Sequence, residues 1–129
     1  MKFRIIFAAS LFAASACAGD IDCDRNDLPQ QMMNRCASMD FEASDKKLNE
    51  AYARLTSTLD AGSKEKLKTA QRNWIQFRDT ECTFETVNNE GGTLHPLVYA
   101  GCLKRMTDAR TKELKALTLC QKDVERCGS

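Results

Sequence analysis

Residues 63–87 read SKEKLKTAQRNWIQFRDTECTFETV, and the spacing of this stretch decides the fold. Leu67, Ala70, Trp74, Phe77, Glu81 and Phe84 recur at steps of three and four and mark one face. Gln71, Arg78 and Cys82 lie on its flank. That period belongs to an α-helix, whereas a half-buried strand would alternate at every second residue. No stretch of the chain alternates for long, so strands have little support.

Working outward, residues 28–59 carry the same signal. Met33, Cys36, Phe41, Leu48, Tyr52, Leu55 and Leu59 keep the helical step, with Asn26 or Asp27 as cap and Pro29 in the first turn. Residues 60–63, Asp-Ala-Gly-Ser, read as a stop at Gly62 followed by a new start at Ser63. Residues 88–96, NNEGGTLHP, form the one long loop. A third helix follows from about Leu97 to Cys120, with Leu103, Met106, Arg110, Leu114 and Leu117 on its apolar face. Three long helices with short connections predict an all-α, up-down-up three-helix bundle.

The chain begins with a basic start at Lys2 and Arg4, an apolar run from Ile5 to Ala13 and a small-x-small site at Ala16-Cys17-Ala18. This pattern predicts a signal peptide over residues 1–18 and one domain over 19–129, placed in the periplasm or secreted. Seven cysteines occur. Cleavage after Ala18 removes Cys17 and leaves six. An alternative reading of residues 14–17 as a loose lipobox makes Cys17 a lipid-bearing terminus, with Ala14 where Leu is usual. Lipidation there is the one route to a membrane. In an oxidising compartment the six read as three bridges. Cys82 and Cys102 fall at similar heights on neighbouring helices, and Cys23 can fold back to Cys36. Cys120 and Cys127 remain to close a small tail loop. Six cysteines allow fifteen pairings, so these three are expectations.

Several polar residues sit where the period demands apolar ones. At 1.5 Å per residue, Asp45 lies roughly 25 Å along the first helix and Arg110 roughly 20 Å along the third. The matching level on the second helix is near Gln71. The expected layer has Asp45 accepting from Arg110 and Gln71, joined by Asn49. An unpartnered buried charge costs several kcal/mol, so these groups are expected to pair. Trp74 reads as core, and Arg78 and Asp79 as ties between helix ends; the alternative is a ligand site.

Residues 34–37 (NRCA), 45–52 (DKKLNEAY), 70–82 (AQRNWIQFRDTEC), 91–93 (GGT) and 107–114 (TDARTKEL) follow one another in an order that resembles the N-terminal domain of the LprI-type lysozyme inhibitors. The resemblance covers almost the whole of the chain after residue 18. It implies a small, helical, disulfide-linked periplasmic or lipoprotein domain whose namesake inhibits lysozyme.

Function classes narrow accordingly. The 19 basic and 18 acidic residues become 17 and 18 once Lys2 and Arg4 leave with the leader. Such a balance gives no broad grip on nucleic acid. No cysteines have C-x-x-C spacing and His95 stands alone, so no metal or cofactor is expected. No Ser-His-Asp order or G-x-S-x-G is present, and the expectation is a non-enzymatic binding protein. Its candidate binding element is the loop, through Asn88, Asn89, Gly91, Gly92, Thr93 and His95. The expected partner is a lysozyme, with a periplasmic toxin neutralised by an immunity protein as the alternative.

Overall fold

The computed structural model describes residues 21–121. The expected leader, the lipid on Cys17 and the Cys127 half of the third bridge lie outside the described residues. Three helices, α1 (Gln30–Thr56), α2 (Ala61–Glu85) and α3 (His95–Cys120), run up, down and up, with a short 3-10 turn at Val87–Asn89. No strand occurs among the described residues. The all-α, disulfide-linked bundle expected from the spacing is the observed architecture.

The helix ends differ from the sequence expectation in instructive ways. Pro29 itself is the N-cap of α1, with extended backbone, and its carbonyl accepts from the Met32 and Met33 amides. The residue before a proline is pushed away from helical angles, so Leu28 stays outside. Asp27 does not cap: Arg25 holds its carboxylate through two contacts of 2.8 and 3.0 Å and lowers its pKa. α1 stops at Thr56, three residues early. There the hydroxyls of Thr56, Ser57 and Thr58 bond the carbonyls of Tyr52, Arg54 and Leu55, and such bonds compete with the helical ladder. Asp60 is the N-cap of α2 and not part of a stop, accepting from the Ser63 amide at 3.0 Å and its hydroxyl at 2.7 Å. Gly62 therefore sits inside the first turn, and the left-handed C-terminal glycine is not used.

α1 and α3 form the closest pair, and α2 packs more closely on α3 than on α1. Leu48, Ala51 and Leu55 of α1 meet Leu114 of α3, with Tyr52, Leu59, Leu67 and Trp74 packed around them. Each buried leucine contributes roughly 1.5–3 kcal/mol. A second cluster, Cys82, Cys102 and Leu103 with Phe41, Tyr99 and Met106, lies nearer the loop.

The inward faces of α2 and α3 are rotated from those expected. On α3 the buried line includes Leu103, Thr107, Thr111, Leu114 and Thr118, while Leu117 is exposed. Threonine is acceptable inside because Thr111 and Thr118 donate to the carbonyls of Thr107 and Leu114, leaving no unmet polar group. On α2 the buried residues are Gln71, Arg78 and Cys82, and Phe77 and Phe84 point to solvent.

The structure contains the Cys23–Cys36 and Cys82–Cys102 bridges, each with Cα atoms 5.7 Å apart. Cys120 ends α3. Closing the 20-residue separation between Cys82 and Cys102 restricts the unfolded chain by about 3 kcal/mol. The double variant Cys82→Ser/Cys102→Ser is expected to melt roughly 12–24 °C lower by circular dichroism. An unchanged melting temperature would show that the bridge does not hold the bundle.

On the α1–α3 side, Lys104 hydrogen-bonds Asp108 at 2.7 Å. That contact, helped by Ser44 and Lys47, lowers the Asp108 pKa below the ordinary aspartate value. A depressed carboxyl contributes stability that is present above the unfolded value and lost as pH falls through the folded one. Acid titration followed by near-ultraviolet circular dichroism should show stability falling in that window. Asp108→Asn should flatten the fall.

Candidate functional site

The loop between α2 and α3 is closed at its base by the Cys82–Cys102 bridge. Beside it, Arg105 of α3 meets both carboxylate oxygens of Glu85 at 2.6 and 2.7 Å. Inside the loop successive turns stitch the backbone: Asn89 to Thr86, Glu90 to Val87, Gly92 to Asn89 and His95 to Gly92, each N–H donating to the carbonyl. Gly91 takes φ +74°, a left-handed angle that glycine adopts without steric cost. From α1, the Asn34 side chain donates to the Thr93 carbonyl at 2.9 Å, and Gln30 holds Asn34 at 2.8 Å. The loop is thus ordered by all three helices before any partner arrives, which lowers the entropy lost on binding.

Of the loop residues singled out from sequence, Asn88, Gly91, Gly92 and Thr93 are exposed, and Asn89 is half-buried. His95 is not at the tip. It is half-buried in the first turn of α3, its Nε2 is 3.3 Å from the Thr86 hydroxyl, and its ring stacks on Tyr99. It forms part of the loop's wall.

The polar layer has different partners from those expected. Asp45 does not meet Arg110. The Arg78 guanidinium reaches Asp45 at 3.5 Å, Asp79 at 2.9 Å and the Thr107 hydroxyl at 3.2 Å, and its side chain is 8% exposed. Asn49 donates to Asp45 at 3.1 Å. Arg110 donates to Gln71 at 3.2 Å and to Glu113 at 2.8 Å. Both guanidiniums pack on Trp74, Arg78 at 5.4 Å from its ring and Arg110 at 5.8 Å, so the indole serves as cation–π partner to both. Among the described residues no buried side-chain nitrogen or oxygen lacks a partner. Nor does any cluster of His, Cys, Asp or Glu there have metal-holding geometry.

Phe77 and Phe84, assigned from sequence to the inward face, are 54% and 73% exposed. The available signal was Cys82. A residue bridged to α3 must face α3, and at 100° per residue Phe84 then lies about 200° round the helix. Arg78, buried on the same side, leaves Phe77 about 100° away.

The family model described as "Lysozyme inhibitor LprI" matches residues 23–114. The chain belongs to the lysozyme inhibitor LprI family. The match spans both bridges, the loop and most of the bundle. An uncharacterised protein of Rhizobium meliloti (strain 1021) is 35% identical over 117 residues, covering 81% of this chain and 84% of its own length. The crystal structure of a DUF1311 family protein from Pseudomonas putida KT2440 superposes with a TM-score of 0.65 at 24% identity. It covers 70% of this chain and 94% of its own, a likeness that concerns the fold.

The two ends of the buried pair differ in exposure, and this predicts unequal effects. Arg78→Ala takes the partner from the buried Thr107 hydroxyl and empties the space between the Phe41 and Trp74 rings, and should cost about 3 kcal/mol. Asp45 is the longer and more exposed contact, at 3.5 Å and 40% exposed, and Asp79 at 2.9 Å still meets Arg78 without it, so Asp45→Asn should cost less than about 1 kcal/mol. Urea denaturation of both variants measures the difference, and equal losses would contradict this account.

Proposed function

We infer that this chain is a non-enzymatic protein of the bacterial envelope or its surroundings that binds and inhibits a lysozyme. The observation carrying this reading is the match of the lysozyme inhibitor family model to residues 23–114. The loop geometry supports it. A lysozyme works in a groove bearing two carboxylates, and blocking the groove calls for a stiff protrusion. The loop here is tied at its base by a bridge and at Thr93 by Asn34. Its exposed Asn88 and Thr93 side chains can donate to carboxylates or take the place of sugar hydroxyls. The bend at Gly91 leaves its tip free of bulk. Export follows from the leader read over residues 1–18, and it suits a target that acts on the cell wall. No helix among the described residues is long and apolar enough to cross a membrane.

The test is inhibition of peptidoglycan hydrolysis by the oxidised, refolded protein at micromolar concentration. The wild type should inhibit at least one of the c-, g- and i-type lysozymes. Thr93→Ala with His95→Ala should weaken inhibition at least tenfold, by removing a tip hydroxyl and loosening the wall behind it. Absence of inhibition by the wild type would end this reading. Equal inhibition by both would move the contact away from the loop.

A further inference from the structure

α2 carries an apolar stripe that the bundle does not use. Ala70, Phe77 and Phe84 stand at seven-residue intervals, two helical turns apart, and Val87 continues the line into the 3-10 turn. Phe77, Phe84 and Val87 are 54, 73 and 48% exposed. A lone exposed apolar residue is ordinary, but aromatics aligned on one helix face mark an interaction surface. The hydroxyls between them are spent internally. Thr80 donates to the Gln76 and Phe77 carbonyls, and Thr83 donates to that of Asp79. The strip therefore offers a partner apolar surface with few polar groups to desolvate.

Its free charge is acidic: Glu85 beside it is matched by the exposed Arg105, and the exposed Arg72 lies about 140° round the helix from Phe77. Glu81 and Glu90 have no ion-pair partner among the described residues, whereas the cation of this half of α2, Arg78, is buried against Asp45 and Asp79. The next lysine along the same line, Lys66, precedes Phe77 by eleven residues, roughly 16 Å. Pairing two copies about the midpoint of Phe77 and Phe84 would set Glu81 beside its own copy, so a second copy fits poorly.

We propose that Phe77, Phe84 and Val87 anchor the protein on an apolar patch of its target enzyme that is edged by lysine or arginine. This rests on the inhibitor reading and adds to it where the grip lies. The acidic border does not suit a groove lined with carboxylates, so the stripe seats on the basic surface beside that groove. The neighbouring loop then overhangs the groove. Anchoring and blocking thus belong to two adjacent surfaces, joined by the Cys82–Cys102 bridge.

The experiment measures both binding, by isothermal titration calorimetry, and inhibition, by peptidoglycan turbidity, for c-, g- and i-type lysozymes. The proteins compared are the wild type, Phe77→Ser/Phe84→Ser, Glu81→Lys and Lys68→Ala. Both phenylalanines are exposed, so the double variant should keep its helicity and melting temperature. Should it misfold, Phe84→Ser alone replaces it. The double variant is expected to bind at least 30-fold more weakly, Glu81→Lys to bind more weakly with a reduced salt dependence, and Lys68→Ala to match the wild type. Binding without inhibition, lost in the double variant, would support the anchor and overturn the inhibitor reading. Inhibition unchanged in the double variant would support the inhibitor reading and overturn the anchor. Self-association of the wild type that the double variant abolishes, or no binding to any of the three enzymes, would overturn the anchor as well.

Discussion

The Cys82–Cys102 bridge is the constraint on which the rest of the molecule turns. α1 and α3 hold each other through a seam of Leu48, Ala51, Leu55 and Leu114, but α2 has fewer close neighbours and little apolar surface facing inward. One covalent contact therefore does for α2 what a leucine stripe does elsewhere. It sets the rotation of the helix about its axis, turns Gln71 and Arg78 inward and leaves Phe77 and Phe84 outside. It also ties together the helices on either side of the loop, so it contributes both to the order of the loop and to the orientation of α2.

The interior that results is unusually polar for a small bundle. It is tolerable because each group is met. Arg78 has two carboxylates, a threonine hydroxyl and the faces of Phe41 and Trp74 around it. Arg110 has Gln71, Glu113 and the same indole. A charged layer of this kind adds little net stability over an apolar one. Its geometry matters more, because a guanidinium with three separate oxygen partners accepts few alternative packings of α2.

Much of this was legible in the residues themselves. The steps of three and four in residues 28–59, 63–87 and 97–120 give three helices, and cysteines at matching heights give the loop's clamp. What the periodicity could not supply was rotation. Hydrophobicity ranks Phe77, Phe84 and Leu117 as inward and Arg78, Thr107 and Thr111 as outward, and the structure reverses all six. The threonines go in because a hydroxyl can be satisfied within its own helix. Arg78 goes in because two acids and two rings await it, and a tertiary partner is invisible along a single helix. The Asp45–Arg110 pairing failed for a related reason. A ruler of 1.5 Å per residue gives height along an axis, but it does not show which of two arginines at nearby heights turns toward Asp45 and which toward Gln71. At the candidate site, the loop's composition marked the turn, while the Asn34 anchor to Thr93 spans 59 positions and left no local trace.

The alternating direction of the helices places the start of α1, the end of α2 and the start of α3 at one pole. Residues 21–29 leave the bundle there, beside the loop, whereas Gln121 leaves from the far pole, near the turn at residues 57–60. Of the two ends of the described residues, Ile21 is therefore the one on the side of the surface argued to meet a partner. A handle for immobilisation, a fluorophore or a fused reporter is better carried on the Gln121 side of the bundle, at the pole opposite the loop.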